Sequence, residues 1–120
     1  MRRVSRCLAL VLAGWAVASC ATTQSRFVPL GQPYPSRGED CSVEVFKTGT
    51  PGQDFVRISR IDVHLEKTHF IRPRFEDALP ELKRQACLSG ADAVIAIQDR
   101  STALGETEAY HVIATGIKYR

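Results

Sequence analysis

Three arginines and no acidic residue open the chain, Met1-Arg2-Arg3-Val4-Ser5-Arg6, and an apolar stretch from Cys7 to Ala18 comes directly after. About twelve apolar residues make a helix of roughly 18 Å, well short of a hydrocarbon core of about 30 Å. The segment therefore reads as the cationic and apolar regions of an export signal, not as a membrane span. This feature constrains the rest most: the folded domain has to be built from residues beyond Ala18, and it is expected to fold where thiols are oxidised. Arg2, Arg3 and Arg6 also account for the whole excess of 16 Lys+Arg over 13 Asp+Glu. The remainder is formally neutral, so no nucleic-acid partner is expected.

The apolar run ends in Val17-Ala18-Ser19-Cys20. This quartet resembles a bacterial lipobox, which makes 1–19 a lipoprotein signal peptide and Cys20 the acylated first residue of the mature chain. A thiolate is the side chain that a diacylglycerol group alkylates under mild conditions, and two or more acyl chains make a stable anchor at about 0.8 kcal/mol per buried CH₂. By resemblance to lipoproteins of Gram-negative bacteria, Ala21 in place of Asp favours the outer membrane. The other reading is ordinary secretion with cleavage before Ser19, since Ala16-Val17-Ala18 satisfies the small-x-small rule.

Between residues 20 and 40 the composition turns polar and rich in turn formers, with Pro29, Gly31, Pro33, Pro35 and Gly38. An extended tether is expected there, or an irregular arm packed along the domain over Phe27 to Tyr34. The domain is expected to cover 41–120. Ser42 to Phe46 is rich in β-formers, and a second strand begins at Phe55. Its apolar phase switches from Val56 and Ile58 to Ile61, Val63 and Leu65, which predicts a bulge or bend near Ser59-Arg60. Glu66 to Arg74 reads as a polar connection.

One helix comes next, with Asp77 as its N-cap, Pro80 in the first turn, and Leu79, Leu82 and Ala86 on one buried stripe. Gly90 suits the left-handed stop. Ala93 to Ile97 reads as a strand buried on both faces, Gln98 to Glu106 as a polar loop, and Thr107 to about Tyr119 as the last strand. The expected class is α+β: a two-layer sandwich with one main helix on a small mixed or antiparallel sheet, in the order β-β-α-β-β.

With Cys7 removed and Cys20 carrying lipid, Cys41 and Cys87 remain. A disulfide between them is the expectation, with two buried thiols or a redox or metal-binding pair as the alternatives. The histidines are His64, His69 and His111. His64-x-Glu66-x-x-His69 lacks the four-residue spacing that sets two ligands on one helical face, and on a strand an odd separation points them to opposite faces. Surface or half-buried histidines are expected, and a metal site from His64, His69 and His111 with thiols is the alternative. The chain carries no nucleophile elbow, no His-Glu-x-x-His, no phosphate loop and no dinucleotide fingerprint, so neither enzymatic activity nor a cofactor is expected. Glu76, Asp77 and Glu81 read as residues complementing the helix start, and Asp92 as turn chemistry.

The stretch Leu82-Lys83-Arg84-Gln85-Ala86-Cys87-Leu88-Ser89-Gly90-Ala91-Asp92-Ala93-Val94-Ile95 resembles a pattern in the RcsF family of outer-membrane stress-sensor lipoproteins. It is more weakly similar to the YbjQ family of small heavy-metal-binding proteins. The layout of lipobox, tether and disulfide-competent domain favours the first. That family carries four domain cysteines in two disulfides, whereas Cys41 and Cys87 are the two available here. The resemblance implies a non-enzymatic lipoprotein, anchored to the outer membrane by its acyl chains and facing the periplasm, that binds or senses another envelope component or serves as a structural module. The alternative function is a periplasmic metal-binding domain using His and Cys residues.

Overall fold

The structure, a computed structural model, describes residues 22–68, 72–105 and 107–120. In chain order its elements are β1 (Thr22–Pro29), β2 (Glu44–Val45), β3 (Phe55–Thr68), α1 (Phe75–Leu88), β4 (Ala93–Leu104) and β5 (Thr107–Tyr119). The strands form one sheet in the order β1-β3-β5-β4-β2. Every neighbouring pair is antiparallel except β2 with β4, so the sheet is mixed. With α1 against one face, the class is α+β, as the sequence predicts.

The order β-β-α-β-β is corrected by one strand. Residues expected to tether the domain instead supply β1, an edge strand paired with β3 from Thr22↔Glu66 to Pro29↔Ser59. Nothing apolar advertises it, because Ser25, Phe27 and Pro29 face inward and only Phe27 joins the core. Backbone pairing and hydrogen bonds to the helix hold it. The Ser25 hydroxyl accepts from Gln85 Nε2 at 2.9 Å and from Arg84 Nη2 at 3.2 Å, and it donates to the Glu81 carboxylate. The chain after β1 also packs on the domain, with the Arg37 N–H donating to the Cys87 carbonyl at 2.9 Å.

Alternation on β3 decides what is buried. Ile61, Val63 and Leu65 face the helix and are at most 3% exposed, and they meet Val112 and Ala114 of β5, Val94 of β4, and Ala78, Leu82 and Ala86 of α1. The expected change of phase is present as a register shift between Arg57 and Ser59. A second irregularity, between Ile95 and Gln98, corrects the expectation for β4. Ala93, Val94 and Ile95 are buried, but Ala96 takes a left-handed φ of 53° and turns out to solvent. Beyond it the expected polar loop is strand: residues 98–104 pair antiparallel with residues 107–113, and Gly105, at φ 63°, leads into the hairpin turn. Ladder hydrogen bonds stabilise that hairpin without an apolar pattern to announce it.

The helix begins one turn earlier than its polar residues suggest. Its N-cap is Arg74, and Asp77 lies in the first turn, where its carboxylate accepts the Arg74 N–H at 2.8 Å. Starting there lets Phe75 pack against the core and puts Pro80 in the second turn. At the other end Gly90 has the expected positive φ, 85°. A disulfide joins Cys41 to the fully buried Cys87, with Cα atoms 5.7 Å apart, and fastens the segment before β2 to the last helical turn.

Candidate functional site

Because the odd-numbered residues of β3 beyond its register shift fill the core, the even-numbered Asp62, His64 and Glu66 stand on the sheet face that α1 leaves open. Register then assembles a row across four strands: Gln24 on β1 opposes His64, His64 opposes His111 on β5, and His111 opposes Arg100 on β4. The next row is Arg26, Asp62, Ile113 and Gln98. The two rows line adjoining open depressions that share Asp62 and His111.

At the centre, His64 Nδ1 lies 2.5 Å from His111 Nε2, and the other His64 nitrogen, Nε2, lies 2.9 Å from Glu66 Oε1. A carboxylate only accepts, so the Glu66 contact puts a proton on His64 Nε2. The facing pair of nitrogens then shares one further proton or none. The ring centroids are 4.2 Å apart and the planes are tilted by 47°, so the nitrogens meet obliquely and not head-on. His111 Nδ1 is buried and has no hydrogen-bond partner among the described residues. Burial first, then the neighbouring His64 and Arg100, lowers the His111 pKa from its ordinary 6.5, which favours the neutral imidazole. Asp62 is engaged elsewhere, 3.7 Å from Arg26 and 3.8 Å from Arg60.

Among the described residues expected as alternative ligands, the structure separates the histidines from the cysteines. His64 and His111 come together, His69 lies outside the described residues, and Cys41 and Cys87 are bonded to each other on the helix side of the sheet. Among the described residues no group of three or more His, Cys, Asp or Glu side chains could hold a metal ion. Cys20 also lies outside the described residues, and no described helix is long and apolar enough to cross a membrane. The sequence alone assigns Gln24, Asp62 and Arg100 to no site. The spacing Asp62-x-His64-x-Glu66, two apart on a strand, is the signal that places three polar groups on one face.

The remaining polar clusters are structural in arrangement. Ser59 donates to Ser89 at 2.9 Å inside the core, and the Ser89 hydroxyl donates to the Ala86 carbonyl at 2.8 Å. Tyr110 donates to Asp99 at 2.6 Å; burial and that carboxylate raise its pKa far above 10 and keep it a phenol. Asp92 receives the Tyr119 N–H at 2.9 Å and lies 3.4 Å from Arg37, which fixes the turn between α1 and β4. No family model, curated protein or solved structure matches this chain.

Proposed function

We propose that this protein is an outer-membrane lipoprotein of the Gram-negative type, fixed by acyl chains on Cys20, whose α+β domain faces the periplasm as a non-enzymatic binding or sensing module. The observation that carries the reading is Cys20 itself, set at lipobox spacing behind an apolar run too short to span a bilayer. The Cys41–Cys87 disulfide supports an oxidising compartment. The start of β1 supports a particular posture. Cys20 precedes Thr22 by two residues, about 7 Å of extended chain, so the anchor adjoins the sheet and holds the domain against the bilayer. Since Thr22 pairs with Glu66, the end of the sheet carrying Glu66 and the β4–β5 hairpin is the end nearest the lipid. The open face bearing His64 and His111 is then the surface offered to another envelope component.

Intact-mass measurement of the protein extracted from its own envelope tests this directly. Acyl mass on an amino terminus at Cys20, in the outer-membrane fraction, is the expected result. A soluble product beginning at Ser19 with an unmodified Cys20 overturns it.

A further inference from the structure

We propose that His64 and His111 form a two-imidazole site for a divalent transition-metal ion of tetragonal preference, Cu(II) first and Ni(II) second. The proposal is independent of the lipid anchor, since it rests on cross-strand geometry alone.

Three features carry it. The first is convergence: two imidazole nitrogens on neighbouring strands, His64 Nδ1 and His111 Nε2, face each other at 2.5 Å. Two nitrogens bound cis to one metal at about 2.0 Å stand about 2.8 Å apart at a right angle and about 3.3 Å apart in a tetrahedron. Either arrangement asks the two rings to open by less than an ångström, and the preference for Cu(II) rests on the order of affinity. The centroids, 4.2 Å apart, are closer than a head-on approach of the two nitrogens allows, so the rings meet at an angle, as two ligands of one ion do.

The second feature is the tautomer. Glu66 accepts a hydrogen bond from His64 Nε2–H at 2.9 Å, which keeps the proton on Nε2 and leaves the lone pair on Nδ1, the nitrogen turned toward His111. A carboxylate bonded to the far nitrogen of a ligating histidine is the usual outer partner of such sites and raises the basicity of the ligand. The third is access. Both rings are partly exposed in a depression bordered by Gln24 and Asp62, so water can complete the coordination sphere. Imidazole suits copper, nickel and zinc, and with no thiolate in reach the order of affinity places Cu(II) highest.

The experiment uses the full chain, extracted in detergent and carrying no histidine tag, titrated separately with Cu(II), Ni(II) and Zn(II). One equivalent of Cu(II) is expected, with a tetragonal paramagnetic resonance spectrum split by two nitrogens, and Ni(II) is expected to bind more weakly. Glu66→Gln should weaken Cu(II) binding by about 10- to 100-fold while leaving the two-nitrogen spectrum in place. His64→Gln and His111→Gln should each abolish that spectrum, with far-ultraviolet circular dichroism confirming the fold; both side chains lie on the open face, outside the core. His69→Ala should leave binding unchanged. Failure to bind Cu(II), or a two-nitrogen spectrum that survives His64→Gln with His111→Gln, overturns the proposal and leaves the pair as two rings sharing a proton.

Discussion

Gly90 and Tyr34 occupy the same small space. A Cβ on Gly90 would come within 2.9 Å of the Tyr34 Cβ and 2.6 Å of the Pro35 carbonyl oxygen, and Gly90 also holds a φ of 85°. The chain that leaves β1 can cross the end of α1 because residue 90 has no side chain. Gly90→Ala therefore meets two penalties, a left-handed backbone and a steric conflict, together about 2 to 4 kcal/mol. Urea denaturation should show that loss. Limited proteolysis should find the segment around Tyr34 cut faster, whereas unchanged protection there would show that the arm does not need this packing.

Ser25 is the corresponding contact for the edge strand itself. Removing its hydroxyl with Ser25→Ala takes an acceptor from the buried Gln85 amide, and an unsatisfied buried polar group costs about 1 to 3 kcal/mol. Amide hydrogen exchange should accelerate along Thr23 to Val28 well before it does in β3 or β5. Equal acceleration in all three strands would mean that β1 unfolds only with the whole sheet.

These contacts also explain which parts of the structure are legible in the sequence. The strand β3 and its irregularity are legible because Val56 and Ile58 against Ile61, Val63 and Leu65 write the pleat and its change of phase directly into the chain. The helix is legible in its stripe but not in its start, since Asp77 serves as well in the first turn as at the cap. By contrast β1 and the outer half of β4 are held by ladder hydrogen bonds and a few polar side chains, and no periodic apolar signal accompanies such bonds. The histidine pair depends on register. His64 and His111 are brought opposite each other only by β3 pairing with β5 across 47 positions of sequence. Local spacing carries no trace of that.

Acid should weaken the link between β1 and the helix. The Arg84 guanidinium first, and then the Ser25 hydroxyl, hold the Glu81 carboxyl below its ordinary value of 4.5; the Arg74 backbone N–H first, and then Lys67, do the same for Asp77. A carboxyl whose folded pKa is depressed contributes stability that is fully present above its unfolded value and is lost as pH falls through the folded one. Stability should hold near pH 6 and decline below about 4.5, with Glu81→Gln less stable at pH 6 but declining less steeply. Denaturation midpoints across that range give the slopes. Parallel slopes for the two proteins would remove Glu81 from the account.

Reduction should matter more than any single hydrogen bond. The Cys41–Cys87 bond closes a loop whose ends are 46 positions apart, which in the chain-entropy argument stabilises by about 4 kcal/mol. A strong thiol reductant should lower the urea midpoint of the wild-type protein markedly, and Cys41→Ala with Cys87→Ala should make the midpoint insensitive to reductant. A midpoint unmoved by complete reduction would show that the core and the helix end hold without the bond.

Gly116 makes the sharpest test of the core. A Cβ there would overlap the Ser59 hydroxyl oxygen and fall 3.1 Å from the Ala91 Cβ and 3.4 Å from the Ser89 hydroxyl oxygen. Ser59 is fully buried and donates to Ser89, so its oxygen has no free space to move into. Gly116→Ala should cost about 2 to 3 kcal/mol through overpacking. Ser59→Ala alone should cost about 1 kcal/mol, because Ser89 keeps its bond to the Ala86 carbonyl. The two changes together should cost less than their sum, since Ser59→Ala deletes the very atom that the new methyl group strikes. Four denaturation curves, for wild type, each single variant and the double variant, measure that coupling. Simple additivity would mean that the strain of Gly116→Ala lies in Ala91 and the β5 backbone and not in the buried serine pair.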